Sequence, residues 1–135
     1  MIRGTVAIVK QVVRRQPRLL AGVALGTLVI ALSLLWPMNL GEEHSTLVNA
    51  AHVPAFFMAT LLWVVLFDRA GVSFWLTCAA ALLLCGGLAL ATEVAQYFVP
   101  HRWPDARDLV LDLVGVFAAL LVYGAWTWRL KERDA

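Results

Sequence analysis

From Leu19 to Trp36 the chain carries no charged residue, and that length is roughly the minimum that spans a bilayer as a helix. Three more long apolar runs follow: Leu47 to Phe67, Phe74 to Val99 and Leu109 to Trp128. Together they take up most of 135 residues. A chain of this size that is 61% hydrophobic and only 15% charged has no soluble solution, because a small domain cannot hide that much apolar surface from water. Lipid is its solvent. The expected fold is all-α, an integral membrane bundle of four transmembrane helices.

The joints are short and rich in helix-ending residues. Residues 37–44 link the first and second runs, residues 68–73 the second and third, and residues 101–107 the third and fourth. Pro37, Gly41, Gly71 and Pro104 sit in them. Short joints make each helix antiparallel to its sequence neighbour. Basic residues then set the orientation. Arg3, Lys10, Arg14, Arg15 and Arg18 precede the first run, Arg69 lies in the second joint, and Arg129, Lys131 and Arg133 follow the last run. Only Arg102 and Arg107 fall on the other side, where Glu42 and Glu43 also lie. The expectation is N-in, C-in topology. Residues 1–18 form a basic cytoplasmic segment, residues 19–128 the transmembrane domain and residues 129–135 a cytoplasmic tail. Residues 2–16 suit either an amphipathic helix on the inner leaflet, with Ile2, Val6, Val9 and Val13 on one face, or a basic tail without structure. No small-x-small cleavage site follows Trp36, so the first run is read as a retained span rather than a signal peptide. Trp36, Trp75, Trp103, Trp126 and Trp128 lie at helix ends, as interfacial anchors do; Trp63 does not, and is expected between helices.

The net charge of +2 gives no reason to expect a nucleic-acid partner. Cys78 and Cys85 lie in one run; seven helical residues is about 10 Å of rise, too far for a disulfide.

Polar residues inside the runs are costly, roughly 2.5–3.5 kcal/mol each at the bilayer centre. Here they gather at one depth. Asn49 and His52 open the second run, Glu93 and Gln96 close the third, and Asp108 and Asp112 open the fourth. Asn49, His52 and Phe56 share a helix face, as do Glu93 and Gln96, and as do Asp105, Asp108, Asp112 and Gly115. Three polar stripes at one depth must face one another, and they are expected to enclose a polar pocket at the outer surface. Each residue also has a plainer role. Asp105 suits a helix cap and Asp108 the first turn after it. Gln96 suits inter-helix glue, Gly115 helix packing, and His52 an idle interfacial position. Arg102 suits an interfacial anchor, a partner for Glu93 or a contact to an anionic headgroup. Glu93 and Asp112 lie too far inside their runs for simple solvation.

At these residues the chain resembles the VanZ-like family. Glu93-Val94-Ala95-Gln96, then Pro100, Arg102, Asp108, Asp112 and Gly115, is similar to that family's E-x-x-Q, Pro, Arg and D-x-x-x-N-x-x-G series. His52 with Phe56 resembles its earlier H-x-x-x-aromatic element. The likeness runs from about Asn49 to Gly124. Val48 and Asn49 stand where the family often has an acidic residue and Lys, and Asp112 stands where it has Asn. The resemblance implies a bacterial multi-pass protein of the cytoplasmic membrane, related to resistance to the glycopeptide teicoplanin. It supplies no reaction.

Three functions are open to such a chain. The favoured one is a non-enzymatic cell-envelope protein whose outer pocket, built from His52, Glu93, Gln96, Arg102, Asp108 and Asp112, binds an anionic or glycosylated lipid headgroup. Its partners would be membrane lipids, lipid-linked cell-wall intermediates among them. The second is a membrane enzyme acting on a lipid-linked phosphate, with the same residues as acid–base groups or oxygen ligands of a divalent cation. Against the enzyme, the sequence lacks an H-E-x-x-H pair, a G-x-S-x-G elbow and a Lys/Arg…Ser-Gly-His series; no cofactor is expected, with a divalent cation left open but unsupported. The third is a structural or transport subunit, against which stand the short length and the lack of an internal repeat.

Overall fold

A computed structural model describes residues 10–35, 42–99 and 105–133, without the side chains of 34, 35, 42–50 and 131. Every regular element among them is helical. A short segment, α1, covers residues 10–15. It is followed by α2 (Pro17–Leu35), α3 (Glu42–Arg69), α4 (Phe74–Gln96) and α5 (Ala106–Arg133).

Three stretches are long and apolar enough to cross a membrane: Ala51–Arg69, Phe74–Gln96 and Ala106–Leu130. The apolar part of α2, Pro17–Ser33, is shorter. The large side chains that face outward are hydrophobic, among them Leu25, Leu28, Leu32, Leu83, Leu90, Phe117 and Leu121. A surface of that kind is matched by acyl chains, not water, and the protein is a helical membrane protein.

Helix boundaries differ from the apolar runs for local reasons. α3 begins at Glu42, so the first joint is shorter than the apolar pattern suggests; acidic residues favour the positive end of a helix. α4 stops at Gln96 rather than Val99: the Phe98 and Val99 N–H groups bond to the Ala95 and Gln96 carbonyls in the tighter i→i−3 pattern of a helix end, and Pro100 has no N–H to continue the helix. α5 begins at Ala106, directly after Asp105, whose carboxylate accepts the Arg107 N–H at 2.8 Å.

α3 ends in a Schellman turn. Gly71 adopts φ of 79°, the Val72 N–H reaches the Phe67 carbonyl and the Gly71 N–H the Asp68 carbonyl. The carbonyls left over are taken by α1. The Gln11 amide donates to Ala70 O at 2.9 Å and to Gly71 O at 3.1 Å, and Arg15 donates to Ala70 O at 3.3 Å. Val12 is buried with Val23, Leu66, Phe67, Ala70 and Val72. The described part of the N-terminal segment is therefore a helix docked on protein. Val12 makes this contact, while Val13, expected on the face towards the inner leaflet, is exposed. Ile2, Val6 and Val9 lie outside the described residues.

α3 is the central helix. Trp63 packs inward and donates to the Thr27 hydroxyl at 3.1 Å, tying α2 to α3. Gly115 lets α5 touch α3: a Cβ there would collide with the Val53 carbonyl oxygen and lie 2.9 Å from the Phe57 nitrogen. At the far end of the same pair the Tyr123 hydroxyl donates to Asp68 at 2.8 Å, and Phe74 stacks on Tyr123. Arg15, the second joint and the C-terminal half of α5 thus share one end of the bundle. Trp75, Trp126 and Trp128 are exposed there, as an aromatic belt requires; Trp36 and Trp103 lie outside the described residues.

Candidate functional site

The opposite end holds the polar residues. His52 lies on α3, Glu93 and Gln96 on α4, and Asp108 and Asp112 on α5, and all five are buried. In a bundle whose outward faces are apolar, the polar stripes have only one another to face.

The tightest contact joins α3 to α5. His52 Nδ1 lies 2.7 Å from Asp112 Oδ1, and both side chains are 0% exposed. A neutral or protonated imidazole can donate this Nδ1–H to the carboxylate, which fixes the ring's orientation. Gly115 lies one turn beyond Asp112 on the same face of α5, so the close approach it permits brings the pair within hydrogen-bond reach. Pro54, two residues after His52, has no N–H to offer the Ala50 carbonyl, so α3 lacks one internal bond beside the site.

The ring's other nitrogen, Nε2, is 3.9 Å from Asp108 Oδ2, beyond a hydrogen bond. It has no hydrogen-bond partner among the described residues. Glu93 completes the group from α4, within electrostatic reach of His52, Asp108 and Asp112. One of its oxygens, Oε2, accepts the Asp105 backbone N–H at 3.0 Å; the other, Oε1, is buried and unpartnered among the described residues. Gln96, one turn further along the same face and 1% exposed, has neither amide atom partnered among the described residues. Asp112 Oδ2 is buried in the same condition.

The Asp105 contact to Glu93 could not be read from spacing, since a backbone donor leaves no side-chain signature. Asp105 thereby holds two roles: its carboxylate caps α5 and its N–H holds Glu93. Arg102 lies outside the described residues, as do Pro100 and Pro104, and the side chain of Asn49 is likewise not described. Arg107 is exposed at the start of α5. Among the described residues no three His, Cys, Asp or Glu side chains converge as metal ligands.

Among the described residues the site is rich in acceptors, with carboxylates and an imidazole nitrogen, and poor in donors. It suits hydrogen-bond recognition of a donor-bearing group, or proton exchange at His52 Nε2. No curated protein and no solved structure matches the chain. The VanZ/LLP1 family model matches residues 11–127, a stretch that includes α2, α3, α4 and every described site residue, and the chain belongs to the VanZ/LLP1 family.

Proposed function

We propose that this VanZ-type membrane protein crosses the bacterial cytoplasmic membrane four times, with both termini inside, and binds a lipid headgroup at its outer end. The observation that carries the reading is the buried His52–Asp112 pair, flanked by Glu93, Gln96 and Asp108, at one end of three apolar helices. Buried ionisable groups in a membrane bundle are costly, and function is the default reason for keeping them. The described groups suit the hydroxyls of a glycosylated headgroup, which donate to carboxylates. Arg107, and Arg102 in the joint before it, suit a phosphate. An altered display of envelope lipids would reduce access by a lipid-tailed glycopeptide such as teicoplanin.

Four spans fit the helix lengths: the 19 residues of α2 rise about 28 Å, close to the thickness of a hydrocarbon core. A cysteine placed at Glu43 should react with an impermeant reagent from outside; reaction only from the cytoplasmic face would reverse the orientation. Unbiased lipid identification by native mass spectrometry tests the headgroup reading. The wild type should carry a defined anionic or glycosylated lipid that Arg102→Ala loses, whereas an unselective lipid mixture on both proteins would refute it.

A second reading has one observation in its favour. His52 is held through Nδ1 while Nε2 has no hydrogen-bond partner among the described residues, the arrangement of an acid–base imidazole. A lipid-linked phosphate would then be a substrate, and the same spectra would show a cleaved or transferred headgroup rather than an intact one.

Glu93 and Arg102 supply a separate prediction. One lobe of Glu93 is already held by the Asp105 N–H. If Arg102 serves an anionic headgroup, the double-mutant cycle of Glu93→Gln and Arg102→Ala on thermal stability should show a coupling near zero. A large coupling would instead make Arg102 the carboxylate's partner.

A further inference from the structure

The buried atoms at the polar end are unequal in kind. His52 Nε2 carries a lone pair when the neutral ring gives its Nδ1–H to Asp112. Glu93 Oε1, Asp112 Oδ2 and Gln96 Oε1 are further acceptors, and all four are unpartnered among the described residues. Against them, among the described residues, stands one unpartnered buried donor, the Gln96 amide nitrogen. The charges are unequal too. Glu93 and Asp112 are buried acids beside His52, the one buried base among the described residues. Arg107, the nearest described cation in sequence, is exposed. Among the described residues the low-dielectric site has surplus acceptors and surplus negative charge, which a group that brings several donors and one positive charge completes.

We infer that this site takes a primary ammonium group, bound by Glu93, His52 Nε2 and the Gln96 carbonyl. An ammonium carries three N–H donors and a unit charge, and it donates to carboxylates at about 2.7–2.9 Å. A sugar hydroxyl brings one donor and no charge, so several would be needed for the same effect. A bare divalent cation needs several oxygen ligands at about 2.0–2.6 Å on one centre, and among the described residues no three His, Cys, Asp or Glu side chains converge in that way. The Gln96 amide nitrogen remains to donate to an oxygen next to the amine. An ethanolamine-type headgroup has this chemistry, with its phosphate then near Arg107 at the start of α5. A soluble amine shares the ammonium without the tail. The inference rests on the headgroup reading only for the source of the amine.

The test uses matched probes on the purified full chain. Native mass spectrometry compares retention of phosphatidylethanolamine, phosphatidylcholine and phosphatidylglycerol. Nitrogen NMR of the His52 ring follows titration with methylammonium and with tetramethylammonium, which keeps the charge but has no N–H. Retention of the ethanolamine lipid about tenfold over the choline lipid, with the preference lost in Glu93→Gln, supports the inference with a lipid source. Equal lipid retention, with a saturable His52 shift from methylammonium and none from tetramethylammonium, supports an amine taken from solution. Equal behaviour of ammonium and quaternary probes in both arms overturns it. In that event a retained glycosylated or anionic lipid leaves the headgroup reading standing, and no retained lipid removes both. The wild-type comparison decides the matter even where Glu93→Gln fails to fold.

Discussion

Removing either partner of the His52–Asp112 pair should lower stability, by about 3–5 kcal/mol where the buried Asp112 charge loses its partner and by about 1–3 kcal/mol where the neutral imidazole N–H loses its acceptor. His52→Leu strands a carboxylate that is 0% exposed, and Asp112→Leu strands the imidazole Nδ1. The combined His52→Leu, Asp112→Leu protein should be less impaired than the two losses added, because an apolar pair of similar volume strands nothing. Denaturant or thermal unfolding in detergent measures each member of the cycle. Additive losses would mean that the two side chains do not interact, and the polar end would lose its anchor.

The second large effect belongs to Gly115. A Cβ at this position meets the Val53 carbonyl oxygen and the Phe57 nitrogen, both backbone atoms of α3. No rotamer change can relieve such a clash, so α5 must move away from α3. Gly115→Ala should cost at least the 1–3 kcal/mol typical of overpacking, and Gly115→Val more. Gly86, whose added Cβ would meet only the end of the Leu113 side chain at 3.8 Å, is the control and should tolerate alanine with little loss. The displacement has a functional reading as well. Asp112 lies one turn from Gly115, so Gly115→Ala should also loosen the His52 contact and reduce lipid retention. Unchanged stability in Gly115→Ala would show that the two helices do not pack this closely.

These two effects mark what a one-dimensional reading can reach. The helical character, the short joints and the three polar stripes were legible because lipid tolerates polar groups only where they face each other. Spacing of three and four then assigns each to a face. The pairing of His52 with Asp112 rather than with Asp108 was not legible, since both lie on the same stripe and only the depth of α5 against α3 separates them. That depth depends on Gly115, whose small size says nothing in sequence about which helix it meets. The Asp105 N–H that holds Glu93 is a backbone group and leaves no trace in residue type. The docking of α1 was hidden for another reason. Gln16 interrupts the helix between α1 and α2, so the phase of one cannot be carried into the other, and the inward turn of Val12 could not be read from the apolar pattern. Gln11 and Arg15 read as an ordinary polar face until the Schellman turn presents the Ala70 and Gly71 carbonyls to them.

An experimental density map of the protein in a lipid nanodisc tests the central claim most directly. It should show His52 and Asp112 in hydrogen-bond contact between α3 and α5. Headgroup density should reach Glu93 and Gln96 from the outer leaflet. His52, Glu93 and Asp112 turned towards acyl chains, or lying on opposite faces of the membrane, would contradict it.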